Sequence, residues 1–205
     1  MALRRRSGET VAVNEFELVV VAASAGGVQA LTQLVSDLPD GFSLPMVVVQ
    51  HVDPHHRSLL TEILGRRSRV PVESVGDGTK MQPGTVYVAP PDSHVLVEDD
   101  GTLSLSQAEQ VHFVRPSADI LFESAAASYG DRVIAVVLTG TGEDGATGVS
   151  AVHDRGGTVV AQDEGSSEFF GMPHAAIATG AVDVVLPLEE IAPKLVALSE
   201  SVPRP

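Results

Sequence analysis

Three residues with complementary chemistry, Ser24, His51 and Asp144, each stand just beyond an apolar run of the chain. A hydroxyl, an imidazole and a carboxylate are the parts of a nucleophilic triad. The imidazole takes the serine proton, and the carboxylate holds the imidazole in the tautomer that can do so. Ser24 ends the run Leu18-Val19-Val20-Val21-Ala22-Ala23 and is followed by Ala25-Gly26-Gly27, small residues that let a backbone turn sharply from a strand into a helix. A hydroxyl beside the free N–H groups of a helix N-terminus suits two chemistries, holding a phosphate or holding a nucleophile next to donors for an oxyanion.

The elements that must position these residues alternate. Unbroken runs of β-branched residues at Leu18–Ala23, Met46–Val49 and Val133–Leu138 read as strands covered on both faces, as in a parallel sheet. Between them lie helical periodicities: Val28, Leu31, Leu34, Val35 and Leu38; Leu59, Leu60, Ile63 and Leu64, capped by Ser58; and Ile120, Leu121, Ser124 and Ala125, opened by Arg115-Pro116-Ser117. Shorter strands are expected at 70–74 and 86–89. His94 to Glu98 and Leu103 to Ser106, joined through Asp99-Asp100-Gly101, read as an antiparallel hairpin added to the sheet. Beyond the loop 139–145, a helix to about Arg155, a strand at 158–162, a short helix through Pro173, a strand at 182–186 and a closing helix at 188–200 complete the chain. The expected fold is α/β, a doubly wound, mostly parallel sheet with helices on both faces. Such sheets bind ligands beyond the carboxyl ends of their strands, where Ser24, His51 and Asp144 all fall.

Two other constellations compete. A strand, a Gly-rich turn and a helix also describe a dinucleotide fold, but Ala22 to Gly27 lacks G-x-G-x-x-G spacing. The second strand, moreover, ends in Gln50-His51 where an acidic residue would hold a ribose. His51, Asp53, His55 and His56 could instead ligate zinc; Pro54 restrains that loop, and His94, His112, His153 and His174 stand apart from it.

Composition narrows the partners. With 13 basic and 27 acidic residues the net charge is −14, which disfavours wrapping a nucleic-acid backbone or an anionic membrane. Arg57, Arg66, Arg67 and Arg69 are a local exception, either a solvated face or a docking patch. There is no cysteine, hence no thiolate nucleophile or thiolate metal site. No apolar run is long enough to span a bilayer, and Arg4-Arg5-Arg6 is not followed by a signal core. A single cytoplasmic domain at 16–200 behind a mobile tail at 1–15 is therefore expected.

The motifs together resemble the CheB family, the chemotaxis protein-glutamate methylesterases, from about Leu18 to Leu195. The resemblance rests on Ala-Ser-Ala-Gly-Gly, Val-Gln-His, Pro83-Gly84 with Tyr87-Val88-Ala89-Pro90, and Arg115-Pro116-Ser117 with Asp119. It rests further on Leu138-Thr139-Gly140-Thr141-Gly142-Glu143-Asp144-Gly145, Ala161-Gln162-Asp163-Glu164 and Phe170-Gly171-Met172-Pro173. It implies Ser24 as nucleophile, His51 as general base and Asp144 as orienting acid, with the Thr141 N–H in an oxyanion and substrate loop shared with Gly140, Gly142 and Ala25. It also implies hydrolysis of glutamate methyl esters on a methylated chemoreceptor-like protein, with deamidation of glutamines as a second reaction; no cofactor or metal is expected, since one catalytic histidine and a polar turn account for the His51–His56 cluster. Archetypal members carry a phosphorylatable receiver domain, whereas here a short tail precedes the first strand, so control is expected from a separate regulatory partner, from docking through Arg57, Arg66, Arg67 and Arg69, or from substrate supply. Glu143 stands where the family commonly has asparagine and adds a negative charge beside Asp144. Alternatives to the hydrolase are a regulatory interaction module without turnover and a metal-dependent hydrolase built on the His51–His56 cluster.

Overall fold

A computed structural model describes residues 16–51 and 58–200. Ten strands and six α-helices are present among them: β1 (Leu18–Ala23), α1 (Gly27–Asp37), β2 (Met46–Gln50), α2 (Leu60–Gly65), β3 (Val72–Ser74), β4 (Thr79–Lys80), β5 (Val86–Val88), β6 (His94–Val97), β7 (Thr102–Ser106), α3 (Ala118–Tyr129), β8 (Val133–Val137), α4 (Ala146–Asp154), β9 (Thr158–Gln162), α5 (Gly171–Ala178), β10 (Val184–Leu186) and α6 (Leu188–Ser199). Seven strands form one sheet in the order β10-β9-β8-β1-β2-β5-β3, and every pairing in it is parallel. The expected hairpin is β6 with β7. It pairs with the short β4 in an antiparallel sheet of its own and does not extend the large one.

Every residue of β1, β2 and β8 is buried, because each strand has a helix layer on either side. Alternate side chains feed two cores. Val19, Val21, Met46, Val48, Ile134 and Val136 pack with α1, α2 and α6. Val20, Ala22, Val47, Val49, Ala135 and Val137 pack with α3, α4 and α5. This two-sided burial is why the strands read as unbroken apolar runs. The inner face of α3 is Ala118, Leu121, Phe122, Ala125 and Ala126; Ile120 and Ser124, expected there, are only half-buried, and Phe122 fills the space instead. Val28 and Leu59, also expected to face inward, are exposed.

The chain leaves β1 toward β2 through α1 and leaves β8 toward β9 through α4, on opposite faces of the sheet. The strand order therefore reverses between β1 and β8, and a crevice opens at the carboxyl end of that junction. No helix among the described residues is long and apolar enough to cross a membrane.

Candidate active site

Ser24 is the first residue past β1 and lies at that junction. Its N–H donates to the carbonyl of Thr139 (3.0 Å), and the N–H of His51 donates to the carbonyl of Ala23 (3.1 Å). The ladder pairs Ala23 with Gln50; one step further it sets Ser24 beside His51 at ordinary strand spacing, roughly 4.8 Å. Gly26, in the left-handed conformation at φ 76°, turns the chain into α1. Gly27 is required for a different reason: a Cβ there would lie 2.1 Å from Oε1 of Gln50.

His51 and Asp144, 93 positions apart in the chain, meet through Nε2 and Oδ2 at 2.7 Å. Asp144 is almost fully buried, and its carboxylate also accepts the Ser117 hydroxyl (2.7 Å), the Ala118 N–H (2.6 Å) and the Asp119 N–H (3.2 Å). It thus occupies the N-terminus of α3, where backbone N–H groups and the helix dipole favour an anion. Burial, the strongest single influence, would push the carboxyl up. The bonds from His51, Ala118 and Ser117 together outweigh it and hold the group below the usual carboxylate range. A carboxylate only accepts, so Nε2 of His51 carries the ring proton and Nδ1 keeps its lone pair.

Four residues that hold this arrangement went unrecognised in the sequence. Gln50, buried in β2, donates through Nε2 to the carbonyls of both Ser24 (2.8 Å) and His51 (2.9 Å). Its Oε1 is buried and has no partner among the described residues. Ser117 opens α3 as expected, but its hydroxyl serves Asp144 and does not cap the helix. Behind it, the fully buried His94 accepts the Ser117 N–H at Nδ1 (3.2 Å) and makes its other ring contact with the Glu109 carbonyl (3.1 Å). Asp119, which follows the Arg115-Pro116-Ser117 motif, accepts the N–H groups of Gly145 (3.0 Å) and Gly148 (2.7 Å) at the start of α4. Burial, more than any other influence, pushes its carboxyl up. The available signal was polarity in the wrong place, namely a Gln ending a fully apolar strand and a Ser-x-Asp opening an apolar helix.

The loop 139–145 closes the other side. Gly140 donates to the Phe169 carbonyl (2.8 Å) and accepts from the Met172 N–H (2.9 Å), so it supplies shape to the loop and no free donor. A Cβ on it would lie 2.3 Å from Sδ of Met172 and 2.9 Å from Cβ of Ser24. The N–H groups of Ala25, Thr141 and Gly142 make no hydrogen bond among the described residues. Thr139 ties this loop to the Ser24 turn, its hydroxyl reaching the carbonyls of Ala25 (3.1 Å) and Phe169 (3.2 Å). The side chain of Glu143 is 73% exposed and faces His112 at 3.7 Å, so its extra charge is directed to solvent and away from the His51 contact. Asp53, His55, His56 and Arg57 lie outside the described residues. Among the described residues no group of three or more His, Asp or Glu side chains could hold a metal ion.

A serine, a histidine and a carboxylate at one sheet edge, with backbone donors close by, define a hydrolytic site in general. The family model described as CheB methylesterase matches residues 19–195. The chain belongs to the CheB methylesterase family. The crystal structure of the Thermotoga maritima CheB methylesterase catalytic domain superposes with a TM-score of 0.86 at 38% identity, over 89% of this chain and 98% of that one. A Leptospira interrogans protein, provisionally named protein-glutamate methylesterase/protein-glutamine glutaminase, is 39% identical over 186 residues, covering 91% of this chain and 96% of its own. The Caulobacter vibrioides protein-glutamate methylesterase/protein-glutamine glutaminase 2 is 40% identical over 190 residues, which make up 91% of this chain and 55% of that longer protein. CheB methylesterases are hydrolases of esters and amides, and this chain is one by family.

Proposed function

We propose that this chain hydrolyses glutamate γ-methyl esters on a cytoplasmic, methylated chemoreceptor-like protein, with Ser24 as nucleophile, His51 as general base and Asp144 as orienting acid. The observation that carries the reading is the 2.7 Å contact between His51 and Asp144 at the strand edge where Ser24 is next in register. Nδ1 of His51 takes the proton of Ser24 as Oγ bonds to the ester carbon, and the carbonyl oxygen becomes an oxyanion. The N–H groups of Thr141, Gly142 and Ala25 are the available donors to stabilise it. The intermediate collapses by breaking the bond to the methoxy oxygen, which leaves as methanol with the proton from His51. Water then attacks the acyl-enzyme, His51 accepts its proton, and release of the glutamate carboxylate restores Ser24. With a glutamine side chain the same steps release ammonia, in keeping with the second half of the relatives' names.

The test is release of labelled methanol from a polypeptide bearing glutamate γ-methyl esters. Wild-type protein should release it. Ser24→Ala should lower turnover by at least about a thousandfold, in line with other serine hydrolases, with an unchanged circular dichroism spectrum. Wild-type turnover by the alanine variant would remove Ser24 from the reaction.

A further inference from the structure

The cavity that opens at Ser24 is far longer than a methyl ester needs. Its volume is about 870 Å³, and it follows one face of α1, past Gln29, Thr32 and Ser36, with Arg66 and Arg67 at the end of α2 in its wall. From Val28 to Ser36 a helix rises about 12 Å, or two turns. The space fits a length of polypeptide rather than one side chain. Both arginines are exposed, and neither has an ion-pair partner among the described residues. Glu62, the acidic residue of α2, lines a different hollow with Ser58 and Ser74. The hollow beyond Gln29 and Gln33 carries Glu168 and Glu189, so the two sides of α1 present opposite charge to whatever enters.

Building on the esterase reading, we propose that this cleft seats the polypeptide flanking the scissile glutamyl ester and that Arg66 and Arg67 select substrates with free carboxylates there. The charge is complementary in a chain that is otherwise strongly acidic, at −14. The reaction also makes such carboxylates. A substrate with several esters becomes more acidic as each is cleaved, so the first hydrolysis favours the next on the same molecule.

The experiment uses two synthetic peptides, each carrying one glutamate γ-methyl ester, with glutamates on both sides in one and serines in their place in the other. The ratio of their kcat/KM values should favour the acidic peptide about tenfold at low salt, chiefly through KM, as two partly exposed ion pairs allow. The preference should shrink as salt is raised. Arg66→Gln with Arg67→Gln should bring the ratio to about one, and Arg66→Glu with Arg67→Glu should invert it. Thermal melting identifies any variant that fails to fold, for which Arg67→Gln alone is substituted. Labelled-peptide binding to the Ser24→Ala protein reads the same preference without turnover. If wild type cleaves neither peptide, the esterase reading fails while the binding ratio still tests the cleft. A wild-type ratio near one, or a ratio unmoved in the double variants, overturns the inference.

Discussion

His51 Nε2 lies 2.7 Å from Oδ2 of Asp144, and that same carboxylate receives the first N–H groups of α3. The acid is therefore fixed by a helix before it fixes the histidine. Asp144→Asn keeps the size but can present an amide N–H toward Nε2, which favours the wrong tautomer. We expect turnover to fall by roughly four orders of magnitude, as in other triads, while peptide binding changes little. Turnover within threefold of wild type would make Asp144 purely structural.

The same carboxylate links stability to pH. Its acidity is raised in the fold, so its stabilising contribution is complete above the ordinary carboxylate range and is lost as pH falls through the lower, folded value. Melting temperatures measured from pH 7 down to pH 3 should fall more steeply for wild type than for Asp144→Asn. Parallel curves would contradict the assignment.

Gln50 joins the backbones of Ser24 and His51 through one amide nitrogen. Gln50→Met keeps the volume and leaves both carbonyls without that donor, at a cost of about 1–3 kcal/mol. Because Ser24 and His51, the proposed nucleophile and base, then lose their common anchor, kcat should drop by about tenfold to a hundredfold with KM nearly constant. Calorimetry and steady-state kinetics on the same preparation check both halves. A stability loss with unchanged kcat would reduce Gln50 to packing.

Gly140→Ala introduces a Cβ 2.3 Å from Met172 and 2.9 Å from Ser24. Overpacking of this kind costs about 1–3 kcal/mol, and here the strain falls on the side chain of Ser24, the proposed nucleophile. We expect a lower melting temperature together with at least about tenfold slower acylation in a burst-phase measurement. A variant as fast and as stable as wild type would show that the loop 139–145 is looser than its packing implies.

The sheet was legible because burial on both faces leaves no polar residue to interrupt the strand code, so Leu18–Ala23 and Val133–Val137 stood out. The positions of Ser24, His51 and Asp144 followed from the strand ends. What stayed hidden was everything that acts across the chain. The separation of 27 positions from Ser117 to Asp144 carries no periodic signal that a hydroxyl and a carboxylate meet. β4, two residues long, is defined only by the partner it finds in β7. Val28 fits helical periodicity but faces outward, because it lines a cleft beside α1 where that packing is interrupted, and Leu59 is exposed at the N-cap, one residue ahead of α2.

Asp144 precedes α4 and holds the start of α3, while Asp119 in the first turn of α3 holds the start of α4. Each helix thus carries the keystone of the other, and neither end can be seated alone. The exchange has a temporal consequence: during refolding the acid of the site reaches its working position only when the two helices dock as a pair. Amide exchange at Ala118 and Gly148 should then slow in a single step, coincident with the appearance of esterase activity and later than protection of the central strands.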